Sequence, residues 1–127
     1  METIYITGSN MEPSIYLDPE KGVLEFTGYS SPNDVTESYQ PVFDWLEQYM
    51  KAPRDKTIIN INMKYYNTAT SKMFLTIMQD VLELEEQDGK AVEINWYYEE
   101  LDEDMEEAAD DYEDILEHEI NKISYNP

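Results

Sequence analysis

The 127 residues include no cysteine and few basic side chains. Without cysteine the chain has no disulfide and no thiolate chemistry, which fits a cytoplasmic protein. Only 8 Lys and Arg side chains oppose 29 Asp and Glu, so the formal net charge is −21. A charge of this sign repels nucleic acid and anionic membranes, and it predicts a partner with a basic surface.

Targeting signals and catalytic motifs are also missing. Residues 1–4 lack the basic region and apolar run of a signal peptide, and no stretch approaches the roughly 20 apolar residues that span a bilayer. The one histidine is His118, and no nucleophile motif, phosphate loop or zinc spacing accompanies it. Residues 101–104 resemble a calcium loop only loosely, because they lack its glycine and final glutamate. We therefore predict a non-enzyme without cofactor or metal.

Hydrophobic residues make up 41% of the chain and aromatic residues 13%, which is enough for one folded domain over residues 1–127. Short apolar runs at residues 3–7, 14–18 and 23–28 predict strands. The turn residues between the second and third runs predict a hairpin.

An apolar stripe at helical spacing from Val35 to Met50 predicts the first helix, with Asn33 or Asp34 as its cap. Pro41 interrupts the stripe, so either the helix begins near Gln40 or a longer helix kinks at the proline.

A change of hydrophobic period marks the centre of the chain. Apolar residues alternate from Ile59 to Tyr65, as in a strand with one buried face, and then follow helical spacing from Met73 to Leu82. The polar residues between the two patterns are good helix caps: Asn67, Thr68, Thr70 and Ser71. Free N–H groups and the helix dipole make such a turn a seat for an anion, so a hydroxyl here is a candidate for phosphorylation. A plain helix cap is the simpler alternative.

This second helix is predicted to run to about Glu86, with Gly89 as its C-cap, and an alternating strand follows at residues 91–98. A strand, helix and strand of this length form a right-handed crossover between parallel strands. Alternation in both strands predicts a small mixed sheet whose helices pack mainly on one face.

The last region is strongly acidic, with thirteen Asp or Glu and no Lys or Arg at residues 99–119. A disordered acidic tail is one interpretation. We favour an acidic C-terminal helix, because apolar residues keep helical spacing there and give it a face that can dock. Those residues are Met105, Ala108, Ala109, Tyr112, Ile115, Leu116 and Ile120.

Several runs resemble the SiaC family of bacterial regulatory phosphoproteins. In chain order they are PSI at residues 13–15, GVLEFTGYS at 22–30, DWLE at 44–47, YYNT at 65–68, KM at 72–73, INWYYEE at 94–100 and DEDM at 102–105. The turn in YYNT and the NWYY run are the most specific parts. The match rests on the order and spacing of the runs together, and it covers most of the chain.

The resemblance implies an α/β fold similar to the sulfate-transporter and anti-sigma-factor-antagonist (STAS) fold. It also implies a partner switch. A cognate Ser/Thr kinase with a histidine-kinase-like ATPase fold phosphorylates a threonine, and a PP2C-type phosphatase removes the phosphate. The unphosphorylated form binds and activates a diguanylate cyclase, which links the switch to cyclic-di-GMP and biofilm formation. The chain is expected to be a monomer when free.

Residue by residue, the family's phosphoacceptor falls on Thr68, and Asn67 and Lys72 match as well. Residues 69–71 depart from the family's small-serine pattern but keep hydroxyls, so Thr70 and Ser71 remain alternative acceptors. Lys72 is a candidate partner for the phosphate, although an ordinary exposed lysine is an equal interpretation.

Tyr65 and Tyr66 are candidates for contact area around the turn, and so is Tyr97. Packing within the fold is an equal interpretation for each of these tyrosines. Two alternative functions also remain. The first is a constitutive acidic binding module, or nucleic-acid mimic, that binds a basic protein. The second and weaker one is a small carboxylate-based hydrolase.

Overall fold

A six-stranded sheet with its strands in sequence order organises the fold. The computed structural model describes residues 1–127, and no helix in it is long and apolar enough to cross a membrane. In chain order the elements are β1 (Ile4–Ile6), β2 (Ser14–Asp18), β3 (Val23–Ser30), α1 (Val35–Tyr49), β4 (Lys56–Tyr66), α2 (Thr68–Asp88), β5 (Ala91–Glu99), α3 (Glu103–Leu116) and β6 (Asn121–Tyr125).

The strand directions place all three helices on one face of the sheet. β1, β2 and β3 pair antiparallel, and β3, β4, β5 and β6 pair parallel. Each crossover from β3 onward moves to the next strand in the same direction, so right-handed connections put every helix on the same side. The mixed α/β sheet and its one-sided helical layer are confirmed, and the finer likeness to the STAS fold stays a prediction.

The core lies between the sheet and this helical layer. β4 alternates as its sequence predicts, with Ile59, Ile61 and Met63 buried against the helices. Phe26 and Phe74 meet there edge to face, with ring centroids 5.6 Å apart. Burial of such side chains supplies the largest stabilising contribution to the fold.

Side-chain amides cross the opposite, open face of the sheet. Glu25, Asn60, Asn95 and Asn121 are register partners on four neighbouring strands. Asn60 Nδ2 donates to Glu25 Oε1 at 3.2 Å, and Asn95 Nδ2 donates to Asn60 Oδ1 at 2.9 Å. Asn121 Nδ2 donates to Asn95 Oδ1 at 2.9 Å. Since a slip of one residue would turn these amides into the core, the row fixes the register.

The first helix is the longer of the two expected forms. α1 begins at Val35, and Asp34 Oδ1 caps it by accepting from the Glu37 N–H at 3.1 Å. Pro41 lies inside the helix. Tyr39 and Val42, on either side of the proline, are fully buried. Their packing offsets the backbone hydrogen bond that proline removes.

The acidic region ends differently from the prediction. α3 stops at Leu116, the chain turns at Glu117 with φ of 52°, and β6 follows. Ile115 was expected on the docked face of the helix but is 59% exposed, and Ile120 is buried outside the helix. Lys122 Nζ lies 2.6 Å from Asp110 Oδ1 and holds the missed strand beside α3.

Gly22, in the β2–β3 hairpin, and Gly89, after α2, have similar backbone angles. Comparing them separates the effect of backbone strain from that of packing at the hairpin. Gly22 has φ of 67°, and a Cβ there would lie 2.6 Å from the Lys56 carbonyl oxygen and 2.7 Å from the Tyr49 hydroxyl. Gly89 has φ of 65°, and a Cβ there would have no other atom within 4 Å. We expect Gly89→Ala to lower the free energy of unfolding by about 1 kcal/mol from backbone strain. Gly22→Ala should lower it by about 3 kcal/mol, because overpacking adds to the same strain. Urea denaturation measures both values, and equal losses would contradict the tight approach at Gly22.

Candidate functional site

The predicted turn between β4 and α2 is a capped helix N-terminus. Asn67 Oδ1 accepts from the Thr70 N–H at 2.9 Å, and the Asn67 carbonyl accepts from the Ser71 N–H at 3.0 Å. The Asn67 N–H donates to the Ser30 carbonyl at 3.0 Å. The first turn of a helix has no intrahelical acceptors for its N–H groups. Those of Thr68 and Ala69 therefore remain free at the positive end of the helix dipole.

Thr68 is the accessible hydroxyl of this turn. Its side chain is exposed and makes no hydrogen bond within the protein. Lys72 follows one helical turn later, is also exposed, and forms none of the protein's ion pairs. Residues four apart on a helix share a face. A phosphate on Thr68 would therefore find an unpaired ammonium and two free N–H groups within the same helical turn.

Thr70, one of the two alternative acceptors, is fully buried in a cluster of three hydroxyls. Its Oγ1 lies 2.7 Å from Ser30 Oγ and donates to the Ser30 carbonyl at 3.2 Å. Ser30 Oγ also lies 2.9 Å from the Tyr39 hydroxyl. This buried hydroxyl cluster joins the end of β3, α1 and the start of α2. The Thr70 hydroxyl is not accessible from solvent in this fold, and its role as an alternative acceptor stays a prediction.

Ser71, the other alternative acceptor, is partly buried and bonded to α3. The Tyr112 hydroxyl donates to the Ser71 carbonyl at 2.9 Å and lies 3.0 Å from Ser71 Oγ. The Ser71 hydroxyl thus takes part in docking the acidic helix. Of the three hydroxyls in the turn, only that of Thr68 is both exposed and unbonded.

The two tyrosines before the turn point to opposite sides. Tyr65 is 53% exposed, whereas Tyr66 packs on Phe74 and Trp96 with ring centroids 5.5 and 6.0 Å away. Burial raises the pKa of the Tyr66 hydroxyl well above its usual range. Tyr66 therefore packs within the fold, whereas the exposed side chain of Tyr65 is accessible to a partner. A partner contact stays a prediction for both tyrosines.

Sequence reasoning missed other exposed apolar side chains at this edge of the sheet. The parallel strands β3, β4 and β5 all end here, and the Ser31 N–H donates to the Met11 carbonyl at 2.8 Å, which brings the β1–β2 loop to the same edge. The exposed apolar residues are Met11, Tyr29, Tyr65 and Leu101. With Thr68 they make up what we call the switch edge. Exposed apolar groups in a cluster indicate a protein-binding surface.

Tyr29 and Tyr65 belong together on that edge. They are register partners on β3 and β4, just after an irregularity in the pairing at Gly28. In the sequence, Leu101 is an isolated apolar residue within an acidic run. Periodicity alone does not assign such a residue to a face of a helix or strand.

Other polar groups near the surface make contacts within the fold. His118 Nε2 lies 3.1 Å from Glu85 Oε2, and no group of three or more His, Asp or Glu side chains is arranged to hold a metal ion. The largest surface groove, about 580 Å³, lies between the β1–β2 loop and the start of α1. Two of its carboxylates are engaged structurally, since Glu12 accepts from the Ser38 hydroxyl and Asp34 caps α1.

Comparison with known proteins identifies the relatives of the chain. The model of the SiaC family regulatory phosphoproteins matches residues 6–125. A protein of Pseudomonas aeruginosa (strain UCBPP-PA14), described as uncharacterized, is 29% identical over 112 residues, which is 88% of each chain.

Solved structures share the fold over nearly the whole length. SiaC of Pseudomonas aeruginosa matches with a TM-score of 0.85 and 24% identity, covering 98% of this chain and 100% of that one. A crystal structure of the diguanylate cyclase SiaD in complex with its activator SiaC, from the same organism, gives a TM-score of 0.86 and 25% identity over 96% of this chain and 99% of that one.

The contrast between the two threonines is testable by isosteric substitution. Thr70→Val removes the two buried hydrogen bonds that Thr70 Oγ1 makes with Ser30, so we expect the free energy of unfolding to fall by about 1–3 kcal/mol. Thr68→Val removes an exposed, unbonded hydroxyl and should change that energy by less than about 0.5 kcal/mol. Chemical denaturation of both variants measures the difference, and a comparable loss in each would contradict the buried hydroxyl cluster.

The same cluster predicts a loss of stability at alkaline pH. Burial raises the pKa of the Tyr39 hydroxyl from 10.0 to about 12. Between these values the unfolded chain has lost the Tyr39 proton that the folded chain keeps. The stability that this proton contributes is therefore fully present below pH 10 and declines as the pH rises toward 12. Denaturation at several pH values measures the slope. Tyr39→Phe should reduce that slope without abolishing it, because burial also raises the pKa of Tyr66 and Tyr112. An unchanged slope in that variant would contradict the assignment.

Proposed function

The chain belongs to the SiaC family of regulatory phosphoproteins, and from that premise we propose that it is a non-catalytic, cytoplasmic phospho-switch. In this proposal its unphosphorylated form binds and activates a diguanylate cyclase. The observation that carries the proposal is the free, exposed hydroxyl of Thr68 at a helix N-terminus within the switch edge. The relative named SiaC is the activator in a complex with the cyclase SiaD, which supports an effector of the same enzyme class here.

The switch needs two enzymes to set its state. We propose a cognate Ser/Thr kinase with a histidine-kinase-like ATPase fold and a PP2C-type phosphatase. Both must reach the acceptor oxygen, and the exposure of Thr68 supports it as the acceptor, whereas Thr70 is buried. The free chain is proposed to be a monomer, because a net charge of −21 opposes self-association.

The effect of the phosphate must be local. It adds about −1.5 to −2 charges, a small fraction of the charge already present. At the switch edge, however, it places a dianion among exposed apolar side chains. Docking an effector there would bury that dianion, and burying a charge costs several kcal/mol unless its partners are kept. Phosphorylation thus weakens the effector complex.

The free N–H groups of Thr68 and Ala69, together with Lys72, stabilise the phosphate on the unbound protein. This local stabilisation favours the phosphorylated, dissociated state, because docking would have to displace or bury the same contacts. Lys72→Ala is therefore expected to reduce the difference in effector affinity between the phosphorylated and unphosphorylated forms.

The central prediction concerns two substitutions of the acceptor. Thr68→Ala should abolish phosphorylation and keep effector binding, whereas Thr68→Asp should weaken binding about tenfold or more through its buried charge. An acidic residue at a helix N-terminus does not destabilise the helix, so the loss would not reflect unfolding. Calorimetric titration with purified diguanylate cyclases of the source organism measures the affinities.

Thr76→Asp is the matched control, because Thr76 is another exposed threonine of α2, two turns beyond Thr68. It adds the same charge to the same helix and should leave affinity within about twofold. Equal affinities of the Thr68→Ala and Thr68→Asp variants would refute the switch. Binding that falls steeply with salt and ignores position 68 would instead favour a constitutive acidic module.

A further inference from the structure

Leu101 is the most exposed of the large hydrophobic residues. Its side chain is 93% exposed, and its backbone has φ of 76°, which glycine and asparagine adopt readily and leucine rarely does. Exposure of a single leucine is unremarkable on a protein surface. Leu101 is both exposed and in an unfavourable backbone conformation. Its side chain therefore stabilises the fold neither by burial nor by its own conformational preference.

The turn around Leu101 explains the backbone angle but not the choice of residue. The Asp102 N–H donates to the Glu99 carbonyl at 3.0 Å, which closes a tight turn with Leu101 at its third position. A positive φ at that position favours glycine. Asp102 then caps α3 by accepting from the Met105 N–H at 3.1 Å. Glycine at position 101 would suit the turn better, so the turn does not account for the leucine.

The turn projects Leu101 at the same sheet edge as Thr68. Lys64 Nζ lies 2.6 Å from Glu99 Oε1 and ties the end of β4 to the end of β5. Thr68 lies four residues beyond Lys64, and Leu101 lies two residues beyond Glu99. Asp102, next to Leu101, is near enough to Tyr66 at the end of β4 for its carboxylate to help raise the pKa of the Tyr66 hydroxyl, although burial has the larger effect. Leu101 and Thr68 therefore flank the adjoining ends of neighbouring strands.

Exposed carboxylates surround the leucine. Glu100, Glu103 and Asp104 are exposed, and none of them forms an ion pair within the protein. Their charges are thus available to a partner and complement a basic surface. An apolar centre with a charged rim is the usual arrangement of a protein interface.

We propose that Leu101 is the anchor residue of the effector interface, inserting into an apolar pocket of the diguanylate cyclase whose rim carries Lys or Arg side chains. This inference rests on the proposed function and specifies the chemistry of the effector. Burial of the leucine side chain supplies affinity, while the carboxylates around it speed association and set orientation. Thr68, beside the anchor, lies where a phosphate would be buried with it.

The test is Leu101→Gly, because glycine removes the side chain and relieves the backbone strain. We expect an unchanged or higher free energy of unfolding, together with about thirtyfold weaker binding to the purified cyclase that the wild-type chain activates, as for a typical hot-spot residue. Cyclase activation should shift to a correspondingly higher concentration of the variant. Binding within twofold of wild type would overturn the proposal.

Ile115→Ala is the matched control. Ile115 is an exposed apolar residue, 59% exposed, at the far end of α3. Because α3 leads back from the switch edge to the start of β6, this substitution should leave affinity within twofold. A loss equal to that of Leu101→Gly would contradict an anchor at the switch edge.

The two proposals fail separately in this experiment. If the wild-type chain binds no cyclase, the proposed function fails. If the wild-type chain binds a cyclase and responds to Thr68→Asp while Leu101→Gly binds equally well, only the anchor fails. A rim of basic side chains on the cyclase predicts slower association at high salt. An association rate independent of salt would overturn that part of the inference.

Discussion

The buried hydroxyl cluster of Ser30, Tyr39 and Thr70 is the constraint on which the switch edge depends. The three hydroxyls are fully buried, so each needs a hydrogen-bond partner. Ser30 ends β3, Tyr39 belongs to α1 and Thr70 to the first turn of α2, with oxygen separations of 2.7 and 2.9 Å. By satisfying one another they hold the start of α2 at the end of the neighbouring strand. Thr68, two residues earlier in the chain, is thereby left facing solvent on a rigid support.

The one-sided sheet has a consequence for partner binding. Helices cover one face, and the amides from Asn60 to Asn121 bond to each other across the other face. Groups that are satisfied internally offer little to a partner, because binding would have to replace bonds already made. The switch edge differs. The N–H groups of Thr68 and Ala69 and the exposed apolar side chains there have no partners within the protein. The switch edge therefore combines free N–H groups with exposed apolar side chains.

Much of the fold follows from sequence periodicity, and the exceptions have physical causes. β4 was predictable because Ile59, Ile61 and Met63 alternate on a strand with one buried face. β6 was missed because nearly all of its residues are exposed, so burial leaves no pattern in the sequence. Ile115 was misplaced because Ala109, Tyr112 and Leu116 form the docked face of α3, and Ile115 lies beside that face rather than on it.

The candidate site shows the same division. The capping role of Asn67 was visible from its side chain and position, but the burial of Thr70 depends on Ser30, forty residues earlier. Local sequence cannot reveal that contact. It therefore could not distinguish the hydroxyls of Thr68, Thr70 and Ser71 by their exposure.

Charge determines how a phosphate can act on such a protein. With 29 acidic side chains, long-range repulsion is already high and is screened beyond about 8 Å at physiological salt. A further one or two charges cannot change the global field enough to release a partner. They act only where they would be desolvated, and a desolvated site requires apolar surroundings. In the proposed switch, the apolar residues of the switch edge provide those surroundings, so the effect of a phosphate would be confined to them.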